Sequence, residues 1–209
     1  MVENTKYWNE LYCEYKDKKL QYDLWLDKHK EILHKTKNQT TIDLGCGTGG
    51  DTLYLKERGY SVLSCDNSDE ALASVKSNIP NSITKNINIA EKLPFKDESI
   101  QLIIADLSLH YFNDETTKKI IKELKRVLKA KAHLIFRVNS INDINYGAGE
   151  GEEIENHFYL GETGYKRFFD EEDIRSYFSE WDIKYLAEDI INRYGSDKRA
   201  FEVLVKKRL

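Results

Sequence analysis

The chain has 209 residues, 40% of them apolar and 11% aromatic, enough for one domain that buries roughly 70% of its unfolded surface without a metal or disulfide staple. Its 32 basic and 36 acidic side chains leave a net charge of −4, which gives no overall polyanion-binding footprint. Cys13, Cys46 and Cys65 form neither a C-x-x-C pair nor a zinc spacing, as expected of reduced thiols in a cytoplasmic protein; a polar N-terminus and no apolar run longer than 102–105 set aside signal-peptide, membrane-spanning and fibrous readings.

In chain order, Tyr7, Trp8, Leu11, Tyr12 and Tyr15 fall at helical spacing, and Leu20, Leu24, Ile32 and Leu33 form a second such set. Two helices are expected over residues 1–37. Residues 40–44 are a short β-rich run stopped by glycines, and 52–58 read as a helix closed by Gly59. Residues 61–66 predict the second strand. Ser68 is a good N-cap, with Asp69 and Glu70 in the first turn, for a helix to about Asn78 that cannot pass Pro80. Residues 82–89 alternate as a half-buried strand does, and 100–106 are near-continuously apolar, as in a central parallel strand.

Asn113 or Asp114 caps the next helix, whose face is Ile120, Ile121, Leu124, Val127 and Leu128. Residues 131–138 predict a strand. Residues 139–169, rich in Gly and Glu, have little periodicity and are expected to be an irregular substrate-side insertion. Asp170 caps a helix to about Phe178, residues 181–186 and 201–205 form an antiparallel pair, and Lys206-Lys207-Arg208 reads as a solvated tail. Alternating strands and helices predict a doubly wound, mostly parallel α/β sheet over 38–209.

The chemistry concentrates at Asp43-Leu44-Gly45-Cys46-Gly47-Thr48-Gly49-Gly50, on a strand-to-helix turn. Glycines there let a ligand approach main-chain N–H groups. Gly45, Gly47 and Gly50 satisfy G-x-G-x-x-G, and Asp66 follows Gly45 by 21 residues at the end of the second strand, where a carboxylate accepts from ribose hydroxyls. An adenosine-containing ligand is implied. Asp43 would repel a pyrophosphate and suits a cationic amino group.

On these residues the chain resembles the class I (Rossmann-like) S-adenosylmethionine-dependent methyltransferases, whose motif I is similar to Asp43-x-Gly45-x-Gly47-x-Gly49. Asp66-Asn67, Ala90-Glu91-Lys92-Leu93-Pro94-Phe95, residues 99–103, Leu109-His110-Tyr111-Phe112 and residues 124–129 resemble later family stretches, so the likeness covers about 40–138. Gln101 departs from the family's usual aspartate, and Lys131 and Ala132 from its glycines. The resemblance implies a seven-stranded sheet with an antiparallel last strand. It also implies cofactor contacts from Asp43, Gly45, Cys46, Gly47, Thr48, Gly49, Asp66, Asn67, Ala90, Glu91, Asp106 and Leu107, with no metal.

Methyl transfer from a sulfonium needs mainly positioning, and a base where the acceptor is protonated. His110 is the candidate base and Asp106 the alternative. The opening Tyr7, Trp8, Tyr12 and Tyr15 resembles the helical lid of small-molecule methyltransferases and equally fits an amphipathic helix packed by its aromatics. Arg137, Tyr146, His157, Tyr165 and Arg167 are candidate acceptor-pocket residues. Asp106-Leu107-Ser108-Leu109 lacks the [DNS]-P-P-[FYW] motif of base N-methyltransferases, so a small-molecule acceptor is expected and DNA is not, with RNA left open. Two alternatives stand beside this reading: a nicotinamide-dependent oxidoreductase, and a non-catalytic S-adenosylmethionine-binding protein. Neither the acceptor atom nor an oligomeric state is legible.

Overall fold

The computed structural model describes residues 8, 9, 11, 12, 20–192 and 195–209. A 3-10 turn, Trp25–His29, leads into α1 (Lys30–Thr36). There follow β1 (Thr41–Leu44), α2 (Gly50–Glu57), β2 (Val62–Asp66), α3 (Asp69–Asn78), β3 (Ile83–Asn86), β4 (Ile100–Asp106), α4 (Asp114–Val127) and β5 (Leu128–Asn139). Next come β6 (Glu152–Glu155), β7 (Phe158–Gly161), β8 (Gly164–Arg167), α5 (Glu171–Tyr177), β9 (Trp181–Ile191) and β10 (Lys198–Lys207). Seven strands form one sheet in the order β3-β2-β1-β4-β5-β10-β9. The first five are parallel neighbours, and β10 lies antiparallel between β5 and β9. This is the expected doubly wound α/β sheet.

The period-2 geometry of β4 explains its uninterrupted apolar run, because each face is covered. Ile103 and Ala105 join Ile120, Leu124, Ile174 and Phe178 on one side. Leu102 and Ile104 join Trp25, Leu26, Leu33, Tyr54 and Leu55 on the other. Local caps set the helix starts: Ser68 Oγ accepts from Ala71 N (3.1 Å), Asn113 Oδ1 from Thr116 N (3.0 Å), and Asp170 with Asp173 forms a capping box. Among the described residues no helix is long and apolar enough to cross a membrane.

Four expectations change. Residues 20–24 are not helical, and Leu24 is exposed; the Asp23 carboxylate is drawn to Arg137 (2.9 Å) and accepts from Trp25 N, which starts the helical turn there instead. The strand expected over 82–89 shrinks to an edge strand with Ile83 exposed, since α3 and β2 cover only one of its sides. Residues 139–169 are ordered: β6, β7 and β8 form an antiparallel sheet. Finally, Lys206 and Lys207 belong to β10, where Lys207 Nζ donates to Leu128 O (2.8 Å) and Glu98 (3.1 Å). Tyr7 and Tyr15 lie outside the described residues.

Arg167 docks the small sheet onto the loop after β4. Its backbone N–H donates to His110 O (2.7 Å), and its buried guanidinium donates to Phe112 O, Asn156 O and Glu155. Arg167→Met is expected to cost about 2 kcal/mol of unfolding free energy in urea, from hydrogen bonds to a charged group, and to speed amide exchange in β7 and β8. Unchanged exchange there would show that apolar packing alone holds the small sheet.

Candidate active site

β1 is flanked by β2 on one side and β4 on the other, and α2 leaves its carboxyl end. Such a switch in strand order opens a crevice beyond the strand ends. Here it holds a cavity of about 1350 Å³, larger than the roughly 300–1,000 Å³ of a usual small-ligand pocket. The turn after β1 forms its floor. Gly45 has φ +77°, and a Cβ there would lie 2.3 Å from Ser108 Cβ; Ser108 in turn donates to Leu44 O (2.8 Å). Gly47 has φ +50°, and a Cβ there would come within 3.1 Å of the Tyr12 hydroxyl. Only glycine lets these chains approach so closely.

Three carboxylates at or next to the carboxyl ends of three adjacent strands lie on the cavity wall: Asp66 on β2, Asp43 on β1 and Asp106 on β4. Asp43 is buried and accepts from Thr52 Oγ1 (2.6 Å). Burial, with Asp106 and Asp66 adding repulsion, pushes its carboxyl up to about 7. Asp66 accepts from Ser68 N and Gly47 N, both at 2.9 Å; burial still raises it, against the backbone bonds from Ser68, Gly47 and Asn67. Both oxygens of Asp106 accept from Arg137, from Nε at 2.6 Å and from Nη2 at 2.8 Å. The Arg137 guanidinium is shared with Asp23 and lies over the Trp25 ring at 4.4 Å. The Cys46 thiol is pushed well up by burial beside Asp43 and Asp66, so it stays protonated.

His110 lines the same cavity and is 2% exposed. Its Nδ1 has no partner among the described residues. Burial, then the charges of Lys198 and Lys166, hold its pKa well below the usual histidine range, so the ring is neutral at pH 7. Its ring lies 4.3 Å from that of Tyr111, which meets Trp8 edge-on at 5.7 Å, and Trp8 stacks on Tyr12 at 5.6 Å.

The structure thus brings Asp43, Gly45, Cys46, Gly47, Thr48, Asp66, Asn67, Asp106, Leu107, His110, Trp8, Tyr12, Arg137 and Tyr146 to one cavity. Gly49 instead caps α2 with its back to Val75. Ala90 and Glu91 fall just outside; Ile87, Asn88 and Ile89 line the wall in their place, because the Asn88 side chain bonds Ala90 N and Glu91 and turns the chain away. His157 pairs with Asp173 (2.8 Å) and Arg167 with Glu155, both away from the cavity. Both oxygens of Asp106 are engaged by Arg137, whereas His110 Nδ1 has no partner among the described residues. Sequence reasoning missed Asp23, Trp25, Lys28, Asn139, Lys166, Asp189 and Glu202 on the lining, which only long-range topology assembles.

Residues 42–136 match a family model described as a methyltransferase domain. An uncharacterized methyltransferase of Synechocystis sp. is 35% identical over 99 residues, 47% of this chain and 46% of that protein. A probable S-adenosyl-L-methionine-dependent methyltransferase of Haemophilus influenzae is 22% identical over 171 residues, 79% of this chain and 54% of its own length. The chain therefore spans about half the length of these relatives. A SAM-dependent methyltransferase structure from Methanosarcina mazei superposes with a TM-score of 0.72 at 23% identity, covering 85% of this chain and 97% of its own, which shows the shared fold.

A carboxyl held near pH 7 binds more protons folded than unfolded between about pH 4 and 7, so ionising Asp43 withdraws stability as pH rises through that window. Asp43→Asn keeps an acceptor for Thr52. Its unfolding free energy, relative to wild type, is expected to rise from about pH 4 to 7 and level off above. Urea unfolding across that range measures the difference; a flat difference would mean that Asp43 is ionised throughout.

Proposed function

We propose that this chain, which carries a methyltransferase domain on the class I fold, transfers the methyl group of S-adenosylmethionine to a small-molecule acceptor. The observation that carries this is the trio of carboxylates, Asp43, Asp66 and Asp106, around a glycine turn that admits close backbone approach. A dinucleotide would bring its pyrophosphate against them. A ligand with an ammonium and a sulfonium meets attraction instead, so the donor set fits S-adenosylmethionine and disfavours a nicotinamide cofactor.

When bound, S-adenosylmethionine supplies a methyl group on cationic sulfur that an acceptor lone pair can displace in line, the C–S electron pair remaining on sulfur. Asp43 would face the amino group and Asp66 the ribose hydroxyls, with Ile87, Asn88 and Ile89 at the adenine edge. Trp8, Tyr12 and Tyr111 would cover the crevice and exclude water; in this reading the aromatic opening serves as a lid, within a proposed division of 1–37 from 38–209. His110, neutral and with Nδ1 unpartnered, would take the proton of an O–H or N–H acceptor. The free, buried thiols of Cys46 and Cys65 support a reducing, cytoplasmic setting.

Calorimetric titration with S-adenosylmethionine, S-adenosylhomocysteine and NADH tests the reading. The first two are expected to bind in the micromolar range and NADH not at all, with Asp66→Ala weakening S-adenosylhomocysteine at least tenfold, about 1.4 kcal/mol. Binding of NADH alone would restore the oxidoreductase alternative. For any acceptor found by labelled-methyl transfer, His110→Ala is expected to lower turnover by about 10²-fold or more, with S-adenosylhomocysteine affinity within twofold of wild type. Unchanged turnover would remove His110 from the chemistry, and S-adenosylhomocysteine binding without transfer to any acceptor would favour a non-catalytic binding protein.

A further inference from the structure

The cavity wall carries carboxylates from β2 through β1 to β4; beyond β5 it mixes Lys198 with Glu202 and Asp189, and Lys166 of the small sheet lines the same cavity. Four described Lys and Arg side chains line it, and three have carboxylate partners. Lys28 donates to Asp189 (2.5 Å) and Glu202 (3.0 Å), Arg137 to Asp106 and Asp23, and Lys198 to Asp143 (2.6 Å). Lys166, half-buried on β8, is the exception: no carboxylate lies within ion-pair reach of it among the described residues. Burial and the charge of Lys198 push its ammonium below the usual lysine range, against the weaker pull of Asp143 and Glu150.

Two unpartnered polar atoms belong to the same end. His110 Nδ1 and Asn139 Oδ1 are both buried without a hydrogen bond among the described residues, on side chains 2% and 1% exposed. The backbone explains why these groups meet. The residue after Lys166 bonds His110 O, and Ala200 on β10, two residues past Lys198, pairs with Asn139 on β5. A half-buried cation with no carboxylate in direct contact among the described residues and two orphaned polar atoms together carry a desolvation penalty that a suitable ligand offsets.

We propose that this end of the cavity binds the acceptor through an anionic group, a carboxylate or a phosphate, paired with Lys166 beside Lys198. The acceptor then also carries an O–H or N–H for His110 Nδ1 or Asn139 Oδ1. Calling the bound anion an acceptor rests on the methyl-transfer reading; the anion site itself does not.

The test is calorimetric titration of wild type, Lys166→Met and Lys198→Met with benzoate, phenyl phosphate and neutral benzamide, each with and without S-adenosylhomocysteine. One of the two anions is expected to bind wild type at least tenfold more tightly than benzamide. Lys166→Met is expected to abolish that preference while leaving S-adenosylhomocysteine affinity within twofold. The tighter anion distinguishes carboxylate from phosphate. Lys198→Met strips the buried Asp143 of its ion pair and leaves it, among the described residues, only the Arg199 N–H, so a folding failure there leaves Lys166→Met, which unpairs no carboxylate, to decide. Equal binding of benzamide, binding of neither anion, or a preference that survives Lys166→Met overturns the proposal. An anion preference without S-adenosylhomocysteine binding would sink the methyl-transfer reading and leave the anion site standing.

Discussion

Arg137 is the residue on which the site's geometry depends. It is a buried cation near the end of β5, and it binds Asp106 on β4 with two nitrogens and Asp23 with the third. Removing such a charge from a buried cluster typically costs several kcal/mol, because its partners are left uncompensated. Its consequences run in two directions. Toward the N-terminus, the Asp23 bond sets where the helical turn begins, and Trp25 packs under the guanidinium while donating to Asp51 (2.9 Å). Toward the sheet, it neutralises one of three carboxylates that would otherwise repel one another across adjacent strand ends.

That leaves Asp43 and Asp66 with no cation in direct contact among the described residues. Each is held instead by dipoles, the hydroxyl of Thr52 among them for Asp43 and the backbone N–H groups of Ser68 and Gly47 among them for Asp66. Hydroxyl and amide donors stabilise a carboxylate less than a full charge does, and burial wins, as the upward pKa shifts of both groups record. The glycine turn and the acid pair are therefore one device. The turn brings backbone N–H groups and carboxylates to the same wall, and the wall remains short of positive charge.

Features written in adjacent residues were legible in the sequence. Ser68, Asn113 and Asp170 cap helices through bonds three residues away, and Gly45 and Asp66 are tied by a strand–turn–helix spacing that backbone geometry enforces. The apolar run of β4 needed only its own pattern. The small sheet was not legible, because each of its strands has four residues and β6 is mostly exposed. What orders it is Arg167, reaching across to Phe112 and Glu155. Ala90 and Glu91 missed the wall by a few residues, since the local turn made by Asn88 has no periodic signature. No sequence pattern singles out Lys166 or Lys198; the pairing of β10 with β5 buries Lys198, and the docking of β8 half-buries Lys166.

The two ends of the cavity act on His110 in opposite senses. Asp106 favours its protonation, while burial and the two lysines oppose it more strongly, and the net result is a neutral imidazole. A neutral ring can accept a proton, yet one whose pKa is far depressed is a weak base. On the proposed reading, an anion seated against Lys166 cancels part of the field that weakens it. The imidazole would then become a stronger base when that end of the cavity is filled, which ties its proton-accepting power to the presence of the molecule whose proton it takes. An isolated histidine in the same apolar surroundings would have no such dependence, because burial alone does not change with the charge of a neighbour.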